Sequence, residues 1–217
     1  MSSLKNYQSC SSVTMRTGVP SLDSLLGGGI EERSLTEFYS SDQKLMKLLY
    51  HRLILSLSEQ PLLAIHVQLF GGLDPYFLTR ISKALGIGLN RIEENVRVCR
   101  AFKIEDLLEA LRLAEKWKGV LMIYDPFVHG SRNDLSWLMK NLTKYNTLIC
   151  VNRGMKNPRG GSYHSHVPHA LIRLSKVKSG IKAELVKHPS LPERSTLLTL
   201  EELVGSWGGQ HQLSDWL

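Results

Sequence analysis

The sequence predicts an α/β domain: a twisted, mostly parallel sheet with helices on both faces and an antiparallel extension at its C-terminal side. Short apolar runs at 35–39, 62–69, 95–99, 120–124 and 147–151 alternate with segments of helical spacing. That alternation is the pattern of a parallel sheet with crossover helices. Beyond residue 169 the helical segments stop, and runs at 170–175, 182–188 and 196–200 succeed one another through short turns. The chain has 217 residues, enough for one domain with a sizeable core. The expected division is a flexible N-terminal arm over 1–15 and a single core domain over 16–217.

Each element has a local reason. Ser21 can cap a short helix with Leu22, Leu25 and Leu26 on one face, and Gly27 ends it where positive φ is tolerated. Gly27, Gly28 and Gly29 turn the chain into the 35–39 strand. A helix over 42–58 follows, with Leu45, Leu48, Leu49 and Leu53 on one side, and Pro61 breaks the pattern before the next strand. Residues 74–85 form a helix whose inner face carries Phe77, Leu78, Ile81 and Leu85. Further helices are expected over 104–117 and 133–145. The tail, with Trp207, Gly208, Gly209 and Trp216, has no clear period. Folding back on its own core and docking on a partner both suit its tryptophans.

Charge narrows the partners. The net charge is +7, and it is local. Between 152 and 188 stand eight basic residues (Arg153, Lys156, Arg159, Arg173, Lys176, Lys178, Lys182, Lys187) against one acid, Glu184. The rest of the chain balances at 19 basic and 19 acidic residues. A concentrated excess of this kind fits a polyanion-binding face; a solvated, lysine-rich loop is the plainer alternative. Cys10, Cys99 and Cys150 are widely spaced and odd in number, so they read as reduced thiols. No apolar run approaches the roughly 20 residues of a membrane span, and residues 1–7 lack the apolar stretch of a signal peptide. A cytoplasmic protein without membrane contact is expected.

The stretch 34–45, Ser-Leu-Thr-Glu-Phe-Tyr-Ser-Ser-Asp-Gln-Lys-Leu, has the frame of a phosphate-binding loop: a strand, a polar turn and a helix opening on Lys44. Such a loop needs glycines, so that consecutive N–H groups can curl around an oxyanion at the helix N-terminus. This turn has none. With Gln43-Lys44-Leu45 in the place of Gly-Lys-Ser/Thr, it is also short, and Leu45 has no hydroxyl to hold magnesium. Lys44 can meet a phosphate or serve as an ordinary surface lysine. The histidines of the 163–169 segment, Tyr-His-Ser-His-Val-Pro-His, lack a further ligand pair with zinc spacing, so no metal site is expected.

Three stretches together resemble the RecA-fold recombinases, most closely the archaeal RadA and its paralogues. The first is Thr17-Gly18 with Leu22-Asp23 and Leu25-Leu26-Gly27-Gly28-Gly29-Ile30, running into Thr36-Glu37-Phe38. The second is Val120 to Asp125, similar to the family's magnesium-site strand (Walker B). The third runs from Val151-Asn152 through Pro158-Arg159-Gly160-Gly161, His169 and Arg173-Leu174 to Pro189-Ser190-Leu191-Pro192-Glu193. It is similar to the family's second DNA-binding loop and the strands beyond it. The resemblance spans roughly residues 16–201 and implies a RecA-like P-loop fold with a degenerate Walker A loop. Residues 67–72, Val-Gln-Leu-Phe-Gly-Gly, carry no carboxylate where the family orients its attacking water. Arg153 follows Asn152 where these recombinases carry a glutamine linking nucleotide to DNA.

Phosphoryl transfer depends on loop, lysine, metal and base acting together. The resemblance with these departures therefore implies a pseudo-ATPase: no catalytic residue, no cofactor, and no bound ATP with magnesium. Lys44 and Asp125 remain as a residual nucleotide-binding pair. The expected function is a non-catalytic paralogue in homologous recombination and DNA repair that binds DNA, single-stranded by expectation, and modulates a RadA-like recombinase or another paralogue. The expected DNA contacts are Arg153, Lys156, Arg159, Gly160, Gly161, Tyr163, His164 and His166. Basic groups on a glycine-hinged loop can follow phosphates while an aromatic ring stacks on a base. Two alternatives stay open: a nucleotide-binding switch of the related KaiC group, and a scaffold that binds protein alone.

Overall fold

A computed structural model describes residues 13–67 and 72–205. In chain order the elements are β1 (Thr14–Met15), α1 (Pro20–Leu25), β2 (Ile30–Glu31), β3 (Leu35–Ser40), α2 (Gln43–Leu57), β4 (Leu62–His66), α3 (Pro75–Leu85), α4 (Asn90–Asn95), β5 (Val96–Arg100), α5 (Ile104–Leu113), β6 (Val120–Tyr124), α6 (Asn133–Leu142), β7 (Thr147–Arg153), α7 (Gly161–Ser165), β8 (Ala170–Val177), β9 (Gly180–Lys187), β10 (Arg194–Leu198) and α8 (Leu200–Val204). A short 3₁₀ turn, Ala114–Lys116, continues α5. Among the described residues no helix is long and apolar enough to cross a membrane.

The main sheet has eight strands in the order β10-β9-β8-β3-β7-β6-β4-β5. β5, β4, β6, β7, β3 and β8 run parallel to their neighbours, and β9 and β10 add antiparallel pairings. The mostly parallel α/β architecture expected from the sequence is present. The antiparallel part begins one strand later than the pattern predicts, because residues 154–169 are long enough to carry the chain across and return β8 parallel to β3.

Two apolar layers enclose the sheet. On one face Phe38, Ile149 and Ile172 meet leucines of α1, α2 and α8 and Leu78 and Ile81 of α3. On the other, Leu35, Ile65, Ile123 and Cys150 meet Leu107 and Leu111 of α5 and Leu135 and Met139 of α6. α2 is buried on nearly every side, which is why its leucines recur more often than a single amphipathic stripe requires. Asp42 caps it by accepting from the Leu45 N–H at 3.0 Å. Asp74 caps α3 in the same way, accepting from Tyr76 and Phe77.

Several local expectations change. Ser21 lies inside α1, behind Val19, and donates to Glu202 at 2.6 Å instead of capping. Thr14 and Met15, placed in the arm by their polar surroundings, pair with β2. α4, α7 and α8 are too short for periodicity to find. The remainder of the arm (1–12), residues 68–71 and the tryptophan-bearing tail (206–217) lie outside the described residues.

Candidate nucleic-acid interface

The strand order reverses direction around β3. The chain leaves β3 through α2 toward β4, while β7 arrives from β6 through α6 on the opposite face. Such a switch point leaves a crevice beyond the C-terminal ends of the strands. Ser41 and Asp42 follow β3, Asp125 follows β6 and residues 154–169 follow β7, so the chemistry-bearing segments all gather there.

The first of them is closed by its own side chains. Only Ser41 and Asp42 separate β3 from α2. The Asp42 carboxylate accepts the Leu45 N–H and pairs with Lys176 of β8 at 2.8 Å. Burial works to raise its pKa, but the Lys176 hydrogen bond and the N–H groups of Leu45 and Lys44 outweigh it and hold the carboxyl below its usual range. An anion therefore already sits at the helix terminus where a phosphate would bind. Lys44 is exposed and has no side-chain partner among the described residues.

Asp125 is also engaged. It has φ +53, a left-handed conformation that asparagine and aspartate tolerate best. Its N–H donates to Val151 O at 2.8 Å. Arg153 donates through Nε at 2.6 Å, and through Nη2, to Asp125 Oδ2. The carboxylate expected to form a residual nucleotide-binding pair with Lys44 thus faces a guanidinium supplied by the adjacent strand. A glycine-free turn, a carboxylate over the helix end and a cation on Asp125 do not fit a magnesium–nucleotide in this arrangement.

Beneath residues 154–169 lies a buried polar network. Glu37 is wholly inaccessible in the middle of β3. Its Oε1 accepts from Asn152 Nδ2 at 2.6 Å, and its Oε2 accepts from His164 Nε2 at 2.9 Å. His164 Nδ1 faces Ser136 Oγ at 3.1 Å. Asn152 also donates to Arg159 O at 2.8 Å and accepts from the Arg153 N–H. Tyr39 donates its hydroxyl to Lys156 O at 3.0 Å, and Lys187 donates to the carbonyls of Ser165 and His166.

These contacts sort the expected DNA-contacting residues. Lys156, Arg159, Gly161, Tyr163 and His166 are exposed at the crevice edge. Three others are corrected. His164 is fully buried, because a carboxylate inside the sheet requires partners and the imidazole meets the oxygen that Asn152 leaves open. Arg153 is half-buried and committed to Asp125. Gly160 is buried as well, and its role is packing: at φ +125 a Cβ there would lie 2.7 Å from the His164 ring. The segment expected as a polar, glycine-hinged loop contains a bridge between Gly154 and Pro158 and the short helix α7. Of the other basic residues, Arg173 and Lys182 both pair with Glu184.

Comparison with known proteins decides the family. The Rad51 family model matches residues 8–137, more than half of the chain. The chain belongs to the Rad51 family. It is also similar to the DNA repair and recombination protein RadA of Ignicoccus hospitalis, 24% identical over 230 aligned residues covering 86% of this chain and 70% of that protein. The RecA-like fold and the recombinase-family resemblance are thereby shown, and membership places the chain within recombination and repair in the broad sense. Against this Rad51-family frame, Glu37, Ser136 and Lys176 are the site residues that sequence reasoning missed. A glutamate in a strand that is otherwise apolar and hydroxylic was the available signal for Glu37.

Proposed function

We propose that this Rad51-family chain is a non-catalytic recombinase paralogue that binds DNA through residues 154–169 and modulates an active recombinase. The observation that carries this reading is a contrast at one crevice. The phosphate position is covered by Asp42 with Lys176 and Asp125 is held by Arg153, while Lys156, Arg159, His166 and Tyr163 stand exposed beside them. Phosphoryl transfer needs its cradle, metal and base at once, so the covered positions support a pseudo-ATPase that uses no ATP–magnesium. Exposed cations with a nearby aromatic ring favour a single strand, whose bases can stack while its phosphates are neutralised.

The RadA relative is named for DNA repair and recombination. By that likeness, a RadA-type recombinase or a further paralogue is the proposed protein partner, and the cytoplasm the proposed location. Titration of labelled single- and double-stranded DNA at several salt concentrations, beside a Lys156→Ala/Arg159→Ala variant, tests the reading. Affinity that falls with salt, and a salt slope shallower in the variant, is expected. No binding to either DNA at low salt would overturn it and leave the scaffold reading.

A further inference from the structure

We infer that the 154–169 segment is held in its DNA-facing shape by two internal side-chain pairs, the ion pair Arg153–Asp125 at its entry and the buried hydrogen bond His164–Glu37 at its exit, without any nucleotide. The DNA half of this inference rests on the reading above; the conformational half stands without it. Glu37, Asn152, His164, Asp125 and Arg153 are accordingly positioning residues for cations that they do not themselves supply.

The geometry is that of a segment tied at both ends and twice between. Arg153 is drawn onto Asp125 where β7 ends. Eleven residues later His164 enters the core and meets Glu37 at 2.9 Å, with neither side chain accessible. Between them, Asn152 holds the Arg159 carbonyl at 2.8 Å and Tyr39 holds the Lys156 carbonyl at 3.0 Å. The two residues whose backbone carbonyls Tyr39 and Asn152 anchor, Lys156 and Arg159, also present exposed cations. Gly160 at φ +125 lets the chain close over the His164 ring, and Lys187 braces the end of α7.

A flexible basic loop must lose conformational entropy when it orders on a ligand. A segment ordered beforehand avoids most of that loss. Every anchor here is a side chain of the protein, so the ordered shape does not depend on what occupies the crevice. DNA affinity should therefore be insensitive to ATP–magnesium, with the guanidinium of Arg153 standing against Asp125 where a cation-dependent loop would need its metal.

Hydrogen exchange on the full chain, without DNA or nucleotide, tests the conformational half. The reporters are the N–H groups of Gly154 (to Ser40 O), Arg159 (to Arg153 O), His166 (to Tyr163 O) and Val167 (to His164 O). Single substitutions would strand a buried charge, so the informative variants neutralise both partners: Glu37→Gln with His164→Leu, and Asp125→Asn with Arg153→Gln. Expected is slow exchange at these amides in the unmodified chain, unchanged by ATP–magnesium. Each double variant should exchange there at least about tenfold faster while sheet amides stay protected. Free exchange in the unmodified chain, protection that appears only with ATP–magnesium, or unaltered exchange in the variants would each overturn the inference.

For the DNA half, the paired variants should weaken single-strand binding while leaving the slope of log K against log salt unchanged, because no phosphate contact is removed. A variant slope shallower than that of the unmodified chain would mean that Arg153 or His164 contacts phosphate directly. If the unmodified chain binds no DNA, the functional reading fails, and the exchange result still decides the anchoring.

Discussion

Two neighbouring segments at the C-terminal edge of the sheet have been treated differently. The turn before α2 is two residues long, carries its own anion and is paired to Lys176. The segment after β7 is long, carries exposed cations and is secured from below by Tyr39, Asn152, Glu37 and Asp125. In the first, polar groups satisfy the backbone and shut the site; in the second, they satisfy the backbone and leave charge facing outward. On the proposed reading, the same crevice gives up small-anion chemistry while keeping a surface for a larger polyanion. The difference lies in where each segment's charges find partners.

The contrast can be broken at several points. The largest effect is expected from His164→Ala, which leaves Glu37 buried without its imidazole. Stability should fall by about 3–5 kcal/mol in denaturant unfolding, and a loss under about 1 kcal/mol would mean that the Glu37–His164 pair holds little.

Acid comes next. His51 on α2 and His66 at the end of β4 are pushed by burial from 6.5 to about 4, His66 also by repulsion from Arg100 and, once it is protonated, from His51. Both stay neutral in the folded chain, while the unfolded chain takes up protons below 6.5. The stabilisation is therefore complete above that pH and is lost as pH falls toward 4, by up to about 3 kcal/mol each. Thermal unfolding across that window should show the decline, and His51→Gln with His66→Gln should flatten it.

On the DNA side, Lys156→Ala with Arg159→Ala should weaken single-strand affinity on the order of ten- to a hundredfold at moderate salt and reduce the salt slope by about 1.4. Smaller again is Asp42→Ala. Removing the α2 cap should cost about 1 kcal/mol, and the helix end should still show no ATP–magnesium affinity in calorimetry, because the turn remains glycine-free. The smallest effect belongs to Lys44→Ala, expected within about 0.5 kcal/mol of the parent in stability and silent in nucleotide titration. A nucleotide signal lost in that variant would favour the KaiC-like alternative.

Much of this was legible beforehand, for identifiable reasons. The strands at 120–124 and 147–151 are uninterrupted apolar runs, and burial on both faces is what such runs report. The glycine-free turn before Lys44 could be read directly, since it concerns residue type in a short local stretch. What could not be read were contacts between distant positions: Asp42 with Lys176, Glu37 with His164 across 127 residues, Arg153 with Asp125. A histidine among polar neighbours looks solvated in sequence. His164 is instead drawn inside by a glutamate whose own burial is set by the strand around it. Side-chain direction after a glycine pair such as Gly160-Gly161 is likewise invisible, because positive φ at both residues redirects the chain.

The central claim is that DNA binding by this chain is separated from nucleotide. Single-strand titration of the unmodified protein at fixed ionic strength, with ATP–magnesium in one series and with a chelator and no nucleotide in the other, tests it most directly. The account predicts superimposable isotherms with the same salt dependence. Binding that appears only with ATP–magnesium would contradict it.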